Sequence, residues 1–227
     1  MLRRILTVVA STQTLPSGGP TGYTLEELAA PYVRFRRAGF EVDIASPKGG
    51  AVTHDPAFES GDFLTNDGRA LLADTEAMAK LAQTIALSDV ETSRYDAVFL
   101  VGGVPAAGDF DANPTLDHVL SAVLERGGVL AAVCHGVVGL TGLKTANGGL
   151  IAQGQSMTGF SLDEEIAANL IDEVAVVPEI RLREIGAHYS KAADLWGVCV
   201  VEGSHFITGQ NPVSAGETAE VLLRKLS

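Results

Sequence analysis

The sequence predicts an α/β fold with a mostly parallel central sheet and helices on both faces, and three observations carry that prediction. Short runs apolar on both faces alternate along the chain with segments of helical periodicity. Glycine-rich turns close several of the apolar runs, as βα corners require. No linker, internal repeat or low-complexity tract divides the 227 residues, so one domain over 1–227 is expected, large enough for a sizeable core. Connections in such a sheet are right-handed, and ligands gather at the carboxyl ends of its strands.

Ile5 to Ser11 reads as the first strand. Its apolar run is too short for a signal peptide and leads straight into Ser11-Thr12-Gln13-Thr14. A turn-rich loop over 15–22 precedes a helix starting at Thr24, with Leu25, Leu28, Ala29, Tyr32 and Phe35 on one face. Pro31 is expected to kink or restart it, and Gly39 to cap it. Glu41 to Ser46 is the second strand. Residues 47–70 lack periodicity and form a small inserted cap region, a length that suits a lid or pocket wall. Leu71 to Leu87 returns to a helical pattern. Ala97 to Val101 is a buried strand closed by Gly102-Gly103, and Asn113-Pro114 opens another helix.

Val129 to Val133 is the next buried strand, and Cys134-His135-Gly136 turns from it into a further helix. Beyond lie a Gly- and Asn-rich connection over 143–154 and a short strand over 156–160. Ser161 caps a helical turn carrying Asp163, Glu164 and Glu165. Val174 to Val177 reads as a strand, Pro178 to Ile185 as a helix, 198–201 with 205–208 as a hairpin, and 215–226 as a closing helix.

Composition narrows the function classes. Acidic residues outnumber basic ones 28 to 16, a net charge of −12, which argues against nucleic acid or an anionic membrane as partner. No stretch approaches the roughly 20 apolar residues of a membrane span. Two cysteines make no disulfide framework, so a reducing cytoplasm is the expected compartment. His54, His118, His188 and His205 lack metal-ligand spacing, and no GxGxxG or Walker pattern is present. Neither a metal nor a nucleotide cofactor is expected.

The residues that could carry chemistry each have a bland reading beside the functional one. Cys134 sits at a strand-turn-helix corner resembling a nucleophile elbow, where helix amides favour the thiolate. It could equally be a buried structural cysteine. Glu27 could act as an acid or base, or complete a capping box with Thr24. Glu165 could belong to a solvated acidic face. Cys199, within an apolar strand pattern, reads as core. Gly102-Gly103 could offer amides to an anion.

Taken together, Thr21-Gly22-x-x-x-x-Glu27, Gly39-Phe40-Glu41-Val42-Asp43, Ala131 to Gly136, Thr158-Gly159-Phe160 and Thr208-Gly209-Gln210-Asn211-Pro212 resemble the ThiJ/PfpI superfamily over about residues 5–226. The likeness is greatest to its class of heat-shock chaperones with glutathione-independent glyoxalase III activity. That resemblance implies a class I glutamine amidotransferase-like, flavodoxin-like three-layer sandwich and a homodimer. It implies a cofactor-free enzyme with Cys134 as nucleophile, Glu27 as proton-sharing carboxyl group, His135 as triad histidine and Glu165 as the acid orienting it. The amides of Gly103 and His135 would form the oxyanion hole. The implied reaction converts methylglyoxal, a small carbonyl substrate, to lactate.

One departure bears on the substrate. The class has Gly-Gly-His-Gly where this chain has Gly102-Gly103-Val104-Pro105, followed by Ala106-Ala107-Gly108-Asp109. Val104 and Pro105 would therefore line a wider substrate pocket, without the imidazole and with no amide at Pro105. Alternatives are a hydratase or amide hydrolase acting on another electrophile, such as an isonitrile, and a non-enzymatic stress chaperone or redox sensor in which Cys134 is oxidised.

Overall fold

The computed structural model describes residues 3–227, apart from the side chain of Asp62. Met1 and Leu2, which begin the leader-like stretch, lie outside the described residues. Seven strands form the central sheet: β1 (Arg4–Val8), β2 (Glu41–Ser46), β3 (Ile85–Ala86), β4 (Ala97–Leu100), β5 (Val129–Val133) and, after the short β6 (Ser156–Met157) and β7 (His188–Tyr189), the pair β8 (Val200–Glu202) and β9 (Phe206–Gly209). Their order is β3-β2-β1-β4-β5-β9-β8, parallel except for β8, which runs antiparallel to β9. β6 and β7 make a separate parallel pair. The flavodoxin-like α/β fold expected from the sequence is the fold observed.

Alternate residues of the strands feed two cores, as the period-2 side-chain geometry dictates. Ile5, Ile44, Phe99, Ala131, Val133 and Ile207 pack under α1 (Leu25–Arg37) and the closing helix Ala215–Leu226. Leu6, Val98, Leu100, Leu130, Ala132 and Phe206 face the helix Pro114–Glu125 on the other side. Asn113 caps that helix by accepting from the amides of Thr115 and Leu116. The chain leaves β1 to build α1 and β2 on one side, then returns to β4 on the other. The switch point therefore falls between β1 and β4, where open α/β sheets bind ligands.

Several local expectations are corrected. The helix expected over 71–87 is two helices, α2 (Asn66–Ala73) and α3 (Thr75–Ala82), broken at Asp74. The Asp74 carboxylate accepts from the Glu76 and Ala77 amides, so a new N-cap competes with continuation of α2. The chain then ends in edge strand β3 rather than helix. α2 also claims the end of the 47–70 excursion, whose earlier part holds single 3₁₀ turns at Pro56–Phe58 and Gly61–Phe63 and is tied down by isolated bridges from Gly50 to Thr84 and from His54 to Tyr23.

α1 runs unbroken through Pro31, so no restart occurs there. Val174–Val177 forms no strand but bends over the surface, and the strand expected over 156–160 is only β6. Cys199 is half-buried just before β8, its amide donating to Ser214 Oγ, and does not belong to the core.

Candidate active site

β5 ends at Val133, and Cys134 adopts φ +59°, an uncommon conformation for a residue with a side chain. A seven-residue 3₁₀ segment, Cys134–Leu140, then leads away. This bend turns the cysteine side chain out of the strand at the carboxyl edge of the sheet. Cys134 is only 2% exposed, so its surroundings rather than water set its chemistry.

Four groups converge on the sulfur. The backbone amides of His135 and Gly103 face it, and the Glu27 carboxyl group lies beside it. His135 Nδ1 lies 3.2 Å from Sγ. On the far side of the ring, His135 Nε2 is 2.7 Å from Glu165 Oε1. The chain Cys134–His135–Glu165 is thus continuous and buried, with His135 at 2% exposure and Glu165 fully covered. Glu165 is no solvated acidic face. Its neighbour Glu164 closes a capping box with Ser161 and accepts from Asn211 Nδ2 at 2.7 Å, which leaves Glu165 free to point at the histidine.

Glu27 is fully buried and its Oε2 accepts from the Gly102 amide at 2.9 Å. The capping box with Thr24 does not form: the Thr24 side chain makes no cap hydrogen bond, and its amide donates to the Gly102 carbonyl. Glu27 Oε1 has no hydrogen-bond partner, a costly state for a buried carboxylate oxygen. Burial pushes the Glu27 carboxyl group up to about 8, against the opposing pull of Cys134 and Gly102. The Cys134 thiol is also pushed up, first by burial and then by the Glu27 charge, while the two amides pull it down. The expectation of a resting thiolate favoured by helix amides is therefore corrected. Burial outweighs the amides, and the pair retains its protons near neutral pH.

The diglycine after β4 is required by close approach. A Cβ on Gly102 would collide with Glu27 Oε2 and lie 2.8 Å from Cys134 Cβ. Gly103 has φ +104°, and a Cβ there would sit 2.6 Å from the Gly22 carbonyl oxygen. Val104 and Pro105 line a cavity of about 260 Å³ together with Leu15, Pro16, Thr21 and Ala175. None of Cys134, His135, Glu27 or Glu165 lines that cavity. A larger one of about 320 Å³ lies at the opposite end of the sheet, near Arg3, Arg126 and Lys225, remote from the sulfur.

Sequence reasoning missed two aromatic contacts. Phe160 packs on the His135 ring at 4.7 Å between centroids, and Trp196, at φ +63°, packs on Phe160 at 5.8 Å. The only sequence signal for the first was the place of Phe160 in the Thr158-Gly159-Phe160 run; Trp196 had none. Among the described residues no group of three or more His, Cys, Asp or Glu side chains could hold a metal ion.

A model described as the DJ-1/PfpI family matches residues 20–225. The chain belongs to the DJ-1/PfpI family. Among the curated relatives of this DJ-1/PfpI member is a Schizosaccharomyces pombe protein described as a probable glutathione-independent glyoxalase, 30% identical over 92% of each chain. Among solved structures, the Rapid Encystment Protein 24 KDa of Francisella tularensis superposes with a TM-score of 0.94 at 32% identity over the whole of both chains. Glyoxalase III from Candida albicans gives 0.88 at 25% identity, covering 98% of this chain and 96% of that one.

Proposed function

We propose that this protein is a glutathione-independent glyoxalase that converts 2-oxoaldehydes to 2-hydroxy acids. The observation carrying the reading is that the buried Glu27 carboxyl group and Cys134 both close on Gly102, where a Cβ would meet Glu27 Oε2 and lie 2.8 Å from Cys134 Cβ, which puts a proton carrier beside a nucleophile. The names of its relatives support the same reaction class.

In this reading the sulfur adds to the aldehyde carbon as the thiol proton leaves, and the former carbonyl oxygen ends as the hydroxyl of a hemithioacetal. The amides of Gly103 and His135 stabilise charge as it develops on that oxygen. Glu27 takes the proton from the former aldehyde carbon, giving an enediolate, and returns it to the adjacent carbon as the hydroxyl proton on the first carbon passes to the oxygen of the second. The product of that step is a 2-hydroxy thioester on Cys134. Water cleaves the thioester, with His135 held by Glu165 as the base, and releases the 2-hydroxy acid and the thiol. The sum is one oxoaldehyde plus one water to one hydroxy acid. A carboxyl group titrating near 8 suits this work, because its basicity is matched to carbon acids better than an ordinary carboxylate's.

The deciding experiment is lactate formation from methylglyoxal by the wild type and by Cys134→Ser. Lactate from the wild type alone supports the reading; equal rates from both overturn it. Homodimerisation accompanies the proposal. The exposed apolar side chains Leu195, Trp196, Val198 and Val213 support it, and sedimentation at micromolar concentration tests it. No described helix is long and apolar enough to cross a membrane, and the two free cysteines fit a reducing compartment.

A further inference from the structure

The cavity beside the site suggests which oxoaldehydes the enzyme takes. It begins one residue beyond Gly103 and one residue before Gly22, the two glycines that pack together beside the site. The Gly103 amide faces Cys134 Sγ, and Val104, the next residue, is a wall of the cavity. Gly22 packs its carbonyl against Gly103, and Thr21, the preceding residue, is another wall. Consecutive Cα atoms are about 3.8 Å apart, so the Val104 wall stands within one residue's length of the Gly103 amide.

The chemistry of the lining selects the group. Val104, Pro105, Leu15, Pro16 and Ala175 are apolar, and Pro105 has no amide to offer a polar substituent. The Asp109 carboxylate is already occupied by the Ser11 and Thr12 amides and the Thr12 hydroxyl. Glu173 is the second acid of the lining, and its carboxylate accepts from the Ser17 amide. Two negative charges and no positive one repel an anionic substituent. At about 260 Å³ the space exceeds the ~150 Å³ of an engineered cavity that binds benzene.

We propose that the Val104–Pro105 cavity receives the substituent of the substrate and makes the enzyme selective for 2-oxoaldehydes bearing an uncharged aromatic or branched apolar group. This rests on the glyoxalase reading above. A methyl group leaves the cavity empty, whereas a phenyl ring exchanges water for apolar wall.

The test compares kcat/KM for phenylglyoxal and methylglyoxal in the wild type and in Ala175→Phe. Ala175 is exposed, so the larger side chain can be accommodated without disturbing the core while it fills the cavity from its outer wall. The expected wild-type ratio of phenylglyoxal to methylglyoxal is about tenfold or more. Ala175→Phe should lower that ratio about tenfold. A wild type that turns over methylglyoxal at least as well as phenylglyoxal overturns the proposal and leaves the glyoxalase reading intact. A ratio unmoved by Ala175→Phe overturns it as well.

If the wild type turns over neither aldehyde, the glyoxalase reading falls, and binding of unreactive acetophenone decides the cavity separately. Shifts of the Val104 and Ala175 methyl resonances on adding acetophenone uphold an aryl pocket, and their absence rejects it.

Discussion

Cys134 is held between opposing influences that decide when it can react. Burial and the Glu27 carboxylate keep the proton on sulfur, while two amides favour its departure. The reactive form of the pair has lost one of its two protons, and the first loss belongs to the pair rather than to either residue. With Glu27 pushed up to about 8, the doubly protonated pair dominates below that pH. The profile of kcat/KM should therefore rise with pH through an apparent value near 8. Glu27→Gln removes both the ionisation and the proton carrier. Turnover should fall by 10²-fold or more, and the ascending limb near 8 should vanish from whatever activity remains. An unchanged profile in Glu27→Gln would assign the limb to another group.

The element that most constrains the site is the turn after β4. The residues alone gave its two glycines only a weak anion-binding signal, and the oxyanion role of Gly103 came from the family resemblance, because a diglycine says nothing about which residues approach it. Packing supplies the reason: Gly102 fits between Glu27 and Cys134, and Gly103 lies against the Gly22 carbonyl. Gly103→Ala would place a Cβ at φ +104° and 2.6 Å from that oxygen. Such strain costs roughly 1–3 kcal/mol, to be read from the denaturant midpoint. Displacing the donor amide should lower kcat by about 10²-fold or more, the scale of losing one oxyanion donor.

The 3₁₀ segment after β5 tells the complementary story. The bend at Cys134 was legible from an apolar run ending in Cys-His-Gly, since the strand pattern and the turn residues are local. The break at Asp74 had a local signal too, an N-cap aspartate, but apolar periodicity across 71–87 concealed it.

At the scale of the molecule, the sheet was legible because its buried strands leave apolar runs that need no tertiary knowledge to recognise. The pairing of Glu27 with Cys134 was legible only through the family resemblance, since 107 positions separate them and no local pattern brings them together. The same is true of Glu165, whose role depends on Glu164 being drawn away by Ser161 and Asn211.

Burying Glu27 has a consequence for the whole fold. Its carboxyl group titrates near 4.5 when exposed and near 8 in the native state, so between those values the native protein holds a proton that the unfolded chain has released. Stability contributed by this group is complete below about 4.5 and is lost progressively as pH rises through about 8. The full effect is on the order of a few kcal/mol. Glu27→Gln keeps the shape and an oxygen for the Gly102 amide without any charge to bury. Its unfolding midpoint in denaturant should match the wild type at pH 4.5 and exceed it increasingly towards pH 8.5, even as turnover is lost. Equal midpoints across that range would mean that Glu27 ionises in the folded protein as easily as in water, and the proton-carrying site would have no physical basis.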